Sequence, residues 1–282
     1  MTIRHGTGRV IRNDPLGVAL WQMRLHVPGL AEAQPGQFIQ LTCGADLTVP
    51  RPFSILDSDP AGQTIDLLYR VVGEGTRRMT TWPWEVTAPL LGPIGRPFTP
   101  PTGPRALLVA GGVGLAPLDF LARRLALRGV QTTLLWGLEA DPPWPVAHEP
   151  AGAGLTAGLA LCHLRQQGIA SRLASLTPRA GFFHGYVTDL AADHLQRLTP
   201  AERGDLRLYT CGPLPMMAAL ARVADRFGLP GEASLEARMA CGFGVCVGCV
   251  ARMRDGGAGH YRRVCVDGPV FALEEIDWQS VE

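Results

Sequence analysis

Near the end of the chain, cysteines fall as Cys241-x4-Cys246-x2-Cys249, and Cys265 follows after fifteen more residues, within ACGFGVCVGCV and RRVCVDGPV. Three thiolates on one short loop and a fourth from elsewhere form the ligand set of a 2Fe-2S cluster, and the x4-x2 spacing suits such a loop. Gly242, Gly244 and Gly248 allow the backbone to curl around the cluster and point N–H groups at its sulfurs. Structural zinc is the main rival. Its loops more often use paired C-x2-C knuckles, and a first gap of four residues argues against it.

The chain has 282 residues, enough for two domains and a small module. Its formal charge is +1, and the arginine pairs Arg77-Arg78, Arg123-Arg124 and Arg262-Arg263 are scattered, which excludes the basic stripe of a nucleic-acid binder. Lysine is absent, a bias we attribute to coding composition. The N-terminal MTIRHGTGRV has no apolar signal region and no stretch is long enough to span a bilayer, so a cytoplasmic protein is expected. The remaining cysteines, Cys43, Cys162 and Cys211, show no disulfide-framework spacing, in keeping with a reducing compartment.

From about residue 4 to 98 the runs GVALWQMRLHV, QFIQLTC, RPFSIL and QTIDLLYRVV alternate with Pro, Gly and Asp, predicting an antiparallel barrel. LLGPIGRPFTPPTGPR then marks a boundary near residue 101. Beyond it, RALLVAGG reads as a buried strand, and LAPLDFLARRLALRG places Leu118, Leu121, Ala122 and Leu125 on one helical face. QTTLLWG, IASRLAS and RLYTCG continue the strands; VTDLAADHLQRL and PMMAALARVADRFG continue the helices. This alternation predicts a parallel sheet with crossover helices. ADPPWPVAHEPAGAG reads as a surface loop, and YRRVCV and PVFAL as short strands. The expected fold class is therefore β plus α/β: a barrel over 1–100, an α/β domain over 101–232 and a cysteine module over 233–282.

Arg51-Pro52-Phe53-Ser54, Leu68-Tyr69-Arg70 and Gly75-Thr76 are candidates for a flavin nucleotide. A guanidinium grips pyrophosphate bidentately, a serine hydroxyl suits the flavin N5, and N–H groups at a helix start suit phosphate. Each also reads as an ordinary barrel turn. Gly111-Gly112-Val113-Gly114, with Pro117 in the following helical turn, exposes bare backbone to a phosphate, or serves only tight strand–helix packing. It is not a full G-x-G-x-x-G, and Glu139 is a loose candidate for a ribose contact. Cys211-Gly212-Pro213 follows a strand at the sheet edge where ligands bind, so Cys211 is either a nicotinamide contact or an inert thiol. His148, His163 and His184 read as loop or surface residues, and no catalytic acid or base is expected.

Arg-Pro-Phe-Ser, Gly-Glu-Gly-Thr, Gly-Gly-Val-Gly-Leu-Ala-Pro and Cys-Gly-Pro, in this order, resemble the ferredoxin-NADP reductase superfamily. With SLEARMACGFGVCVGC and YRRVCVDGPVF appended, the chain resembles the electron-transfer subunits of NAD-dependent dihydroorotate dehydrogenases over nearly its whole length. The resemblance implies an FAD-binding barrel, a domain for NAD or NADP and a 2Fe-2S module ligated by Cys241, Cys246, Cys249 and Cys265. FAD would lie on Arg51 to Ser54, Leu68 to Arg70 and Gly75-Thr76, and the nicotinamide nucleotide on Gly111, Gly112, Gly114 and Cys211 to Pro213. It further implies an FMN-containing catalytic partner in pyrimidine biosynthesis, as a heterotetramer with two of each subunit. One region departs: the acidic, serine-containing turn usual after the third strand of the nucleotide domain is here Ser175 running into LTPRAGFFHG, with no acidic residue. Two other readings stand beside this one, a reductase of the same build serving another acceptor and a non-catalytic metal-stabilised binding protein.

Overall fold

A computed structural model describes residues 3–254 and 260–280. The chain divides into two compact units, Met1–Phe98 with Leu235–Val270, and Thr99–Ser234 with Phe271–Glu282.

In the first unit, strands β1 (Arg4–Gly17), β2 (Leu20–His26), β3 (Phe38–Leu41), β4 (Arg51–Asp59) and β5 (Thr64–Arg70) are followed by helix α1 (Glu74–Met79) and strand β6 (Thr87–Ile94). The strands close a barrel in the order β1-β2-β5-β4-β3-β6. In β2, buried Met23 and Leu25 alternate with Arg24, which pairs bidentately with Asp66 of β5 at 2.6 and 2.7 Å. Strand β1 was not foreseen. Its Gly6 and Gly8 lie where an added Cβ would come within 2.6 Å of Leu30 and 2.8 Å of Leu90, so neighbouring side chains fill the space its own sequence leaves empty.

In the second unit, β7 (Arg105–Gly111), α2 (Leu115–Ala126) and β8 (Gln131–Gly137) form the first crossover. Then come β9 (Val146–Glu149), β10 (Gly158–Leu161), α3 (Cys162–Arg165), β11 (Ala170–Ser175), β12 (Phe183–His184), α4 (Val187–Arg197), α5 (Pro200–Gly204), β13 (Leu206–Cys211), α6 (Leu214–Phe227) and β14 (Gly231–Ser234). Two short strands of the cysteine segment, β15 (Val250–Arg252) and β16 (Tyr261–Arg263), pair with each other, and β17 (Val270–Ala272) joins the large sheet. That sheet runs β12-β11-β8-β7-β13-β14-β17. Its inner strands are buried on both faces, as the apolar run from Ala106 to Gly111 requires. Predicted helical-face residues Leu118, Leu121, Ala122 and Leu125 are all buried.

The region expected to be a loop differs. Within it β9 pairs antiparallel with β10, and Arg172 of β11 donates to the carbonyls of Pro150 and Thr156 at 2.8 and 2.7 Å. A long-range guanidinium thus orders a segment whose Pro and Gly content discourages regular structure locally. His163, expected at the surface, instead bonds the buried Asp119 at 2.6 Å and meets the Trp144 ring edge-on.

Candidate cofactor sites

The cysteine loop is shaped from three sides. Gly242 and Gly244 have φ of +75° and +85°, and a Cβ on Gly244 would approach Val266 to 2.9 Å. Arg263 donates to the Gly244 carbonyl at 3.1 Å while its Nε meets Asp267 at 3.1 Å. The β15–β16 pairing, extended by Val264 N–H to Cys249 O at 2.7 Å, carries Cys265 beside Cys249.

The thiols therefore fall in two pairs. The Cys246 N–H donates to Cys241 Sγ at 3.5 Å. Burial raises the Cys241 thiol, but N–H groups of Cys246, Phe243 and Val245 outweigh it and bring the group down to about 6. Cys265 is pushed up to about 12 by burial and by the hydrogen bond and charge of Cys249. Two thiolates for each of two irons is what a 2Fe-2S cluster needs, so the donor set fits that group.

On the barrel, β3 pairs with β4 so that Phe38 faces Ser54 and Gln40 faces Pro52. Paired residues point to the same face, so Ser54, Pro52 and Gln40 share one surface. Arg51, which donates to the Val49 carbonyl at 2.6 Å, lies against the start of α1, where a Cβ on Gly75 would sit 3.5 Å from its Cγ. The sequence placed these two motifs apart; the barrel brings them together. The Thr76 hydroxyl is committed to the turn, accepting from Val72 and Gly73 N–H at 3.0 and 3.2 Å, so this residue offers a phosphate only its backbone. Tyr69 and Leu68 are buried. The Tyr69 hydroxyl donates to Asn13 Oδ1 at 3.0 Å and its ring packs on Trp21 and Phe53, so both side chains are engaged within the barrel, whereas Arg70 is exposed.

In the α/β unit the order β11-β8-β7-β13-β14 reverses direction between β7 and β13, which makes that edge the topological switch point. Gly111 ends β7, with Gly112 and Gly114 in the turn after it, and Cys211 ends β13, with Gly212 and Pro213 following. A Cβ on Gly114 would lie 2.3 Å from the Cys211 carbonyl oxygen, and one on Gly111 2.7 Å from Pro213 Cδ. These glycines serve close packing of one loop on the other. Gly112 differs: it is exposed, has φ +52° and has nothing within 4 Å of an added Cβ. Its carbonyl accepts from the Trp136 indole at 2.9 Å.

Glu139, the loose ribose candidate of the sequence reading, is exposed but already engaged. Its carboxylate accepts from Leu176 N–H at 3.0 Å, Ser175 Oγ at 3.2 Å and Thr177 Oγ1 at 3.4 Å, and these bonds, the Leu176 N–H first, hold it below the usual carboxylate range. The sequence reading missed this bracing role and missed Gln40, whose signal is a polar residue inside the apolar run QFIQL.

Residues 236–277 match the iron-sulfur cluster binding domain of dihydroorotate dehydrogenase B. Over 268 residues, 95% of this chain and 96% of the relative, the chain is 31% identical to the dihydroorotate dehydrogenase B (NAD(+)) electron transfer subunit of Caldanaerobacter subterraneus subsp. tengcongensis. The chain belongs to this family of electron transfer subunits. The family's counterpart from Shouchella clausii is 34% identical over 86% of each chain. Among solved structures, an NADH-dependent reduced ferredoxin-NADP oxidoreductase studied for flavin-based electron bifurcation superposes with a TM-score of 0.80 at 25% identity, over 97% of this chain and 91% of that one. A ferredoxin NADP+ reductase from Neisseria gonorrhoeae with bound FAD and NADP, 14% identical with a TM-score of 0.62 over 79% and 92% of the two chains, shares the fold.

Proposed function

We propose that this chain is the electron-transferring oxidoreductase subunit that links a nicotinamide nucleotide to an FMN-containing dihydroorotate dehydrogenase subunit in pyrimidine biosynthesis. Bound FAD and a bound 2Fe-2S cluster supply conversion between two-electron hydride transfer and one-electron transfer. The residues supply position. Arg51 and the backbone at Gly75-Thr76 hold the flavin pyrophosphate, Ser54 hydrogen-bonds the ring, and the backbone of Leu68 to Arg70 lines it. Gly111, Gly112 and Gly114, with Cys211, Gly212 and Pro213, receive NAD. Cys241, Cys246, Cys249 and Cys265 ligate the irons, and Cys241 enters already largely as thiolate at neutral pH.

The observation that carries this reading is the pairing of the four thiols on a segment that folds with the flavin-type barrel as one unit. Phe243, Val245, Val247 and Val250 are exposed around Cys246, an apolar surface suited to a partner subunit. We assign three functional regions, 1–100, 101–232 and 233–282, a heterotetramer with two of each subunit, and the cytoplasm, where cysteines stay reduced. Among the described residues no helix is long and apolar enough to cross a membrane.

An anaerobic titration with NADH, and separately NADPH, tests the reading: NADH bleaches the flavin and a reduced 2Fe-2S signal follows in electron paramagnetic resonance. A protein lacking both chromophores refutes it. The turn without acidic residues at 176–181 favours one second reading, a reductase of the same build serving another acceptor. Failure to activate a dihydroorotate-oxidising subunit would select it.

A further inference from the structure

Gln40 lies in the middle of β3 and is 1% exposed, yet neither its Nε2 nor its Oε1 has a hydrogen-bond partner among the described residues. Few buried amides in folded proteins are left so. Its position explains where the partner must be. A Cβ on Gly242 would come within 2.7 Å of Gln40 Nε2, 2.8 Å of Cγ and 3.0 Å of Cδ, so the amide packs against Gly242, the residue immediately after Cys241. Any side chain at 242 would displace it. Through the β3–β4 register it also shares the face of Pro52 and Ser54. Gln40 thus stands within the barrel unit on the surface assigned to the flavin and directly against the cysteine loop.

Resting on the function proposed above, we infer that Gln40 is a positioning residue for the iron-sulfur cluster, its Nε2–H donating to the cluster's sulfur at the Cys241 side. Cluster sulfurs are acceptors, and a primary amide held against the loop by a glycine contact is a fixed donor. An N–H to sulfur bond strengthens as negative charge accumulates, so it favours the reduced cluster and raises its potential. None of the cysteine ligands needs Gln40 to bind iron. Its loss therefore changes redox poise while leaving the ligand set intact.

The test is a redox titration of the holoprotein followed by electron paramagnetic resonance, comparing wild type with Gln40→Met and Gln40→Glu. Met keeps the length without polarity, and Glu keeps the shape but removes the donor. We expect the ratio of reduced to oxidised cluster to fall about tenfold at fixed potential in Gln40→Met, a shift of about 59 mV for a one-electron couple. Gln40→Glu shifts further the same way, and the flavin potential stays in place. An unchanged cluster potential in both variants overturns the inference, as does a shift confined to the flavin. If the variants do not assemble, wild-type protein labelled with side-chain 15N-glutamine decides: a 15N coupling to the reduced cluster in pulsed resonance supports the bond, and its absence overturns it. A wild type that shows no 2Fe-2S signal defeats the underlying functional reading, a distinct result.

Discussion

Replacing Gly114 by Ala asks whether the glycines of the nucleotide edge are there for ligand approach or for packing. The backbone at Gly114 has φ −59° and ψ −9°, an ordinary helical conformation that alanine adopts freely. In isolation the change stabilises by about 0.4–1 kcal/mol through a less flexible unfolded chain. The new Cβ, however, would sit 2.5 Å from the Cys211 carbonyl carbon and 2.7 Å from Gly212 N. The first of these is about 1 Å inside normal carbon–carbon contact, and both neighbours are backbone, so the end of β13 must move. Overpacking of this kind costs about 1–3 kcal/mol, which leaves Gly114→Ala about 1–3 kcal/mol below a variant that gains the same unfolded-chain term without the clash. Gly204→Ala is the matched control, since nothing lies within 4 Å of its added Cβ and its φ is not positive. It should be neutral to slightly stabilising. Urea unfolding followed by tryptophan fluorescence measures both, and NADH binding measures the displaced Cys211–Pro213 edge, which should weaken only in Gly114→Ala. A Gly114→Ala protein as stable as Gly204→Ala would falsify the backbone contact and restore the view that this glycine exists only for phosphate.

Cys246→Ala should abolish the 2Fe-2S resonance while flavin content and its bleaching by NADH persist; a retained cluster spectrum rejects the ligand assignment. In iron-depleted, reduced protein at pH 7, iodoacetamide should label Cys241 well before Cys265, because their thiols sit at about 6 and about 12. Mass spectrometry should show the Cys241 rate rising with pH through about 6 and flat above, and equal labelling of the two contradicts the pairing. Glu139→Gln should loosen the turn after β11, seen as faster hydrogen exchange at Leu176 N–H, with little effect on the cluster. Because the folded Glu139 carboxyl is held below its ordinary value, the stability it adds is complete above the usual carboxylate range and is lost as pH falls through the lowered folded value.

What the sequence disclosed followed from chemistry that acts locally. Ligand spacing is dictated by the cluster, so an iron-sulfur segment, matched over residues 236–277, was readable without a fold. Buried parallel strands need continuous apolar runs, so β7 and β8 were readable too. What it concealed depends on partners distant in the chain. β1 carries Pro15 and three glycines and is a strand because β2 and β6 flank it. β9 is ordered by the arginine at 172. Tyr69 looked like a flavin contact because it lies in the right motif, but its hydroxyl belongs to Asn13, 56 positions away. Motif membership said nothing about where that side chain points.

The departure at residues 176–181 has a structural answer that spacing could not supply. The turn after β11 carries no carboxylate of its own and begins Leu-Thr-Pro-Arg. Yet a carboxylate reaches the turn: Glu139, beyond the end of the adjacent parallel strand β8, accepts the Leu176 N–H and the Ser175 and Thr177 hydroxyls. Arg179 from the same turn reaches back to the Ala140 carbonyl at 2.6 Å and to Asp141 at 2.8 Å. The negative charge at this edge of the sheet thus comes from the neighbouring strand's end, with three hydrogen bonds already on its carboxylate. A group so engaged stiffens the turn and adds a fixed charge to its electrostatics, and it does so without the freedom to grip a ribose hydroxyl bidentately. Nucleotide preference at this edge should therefore respond to Glu139 mainly through charge, so that removing it relaxes discrimination against a phosphorylated ribose more than it weakens binding of the unphosphorylated one.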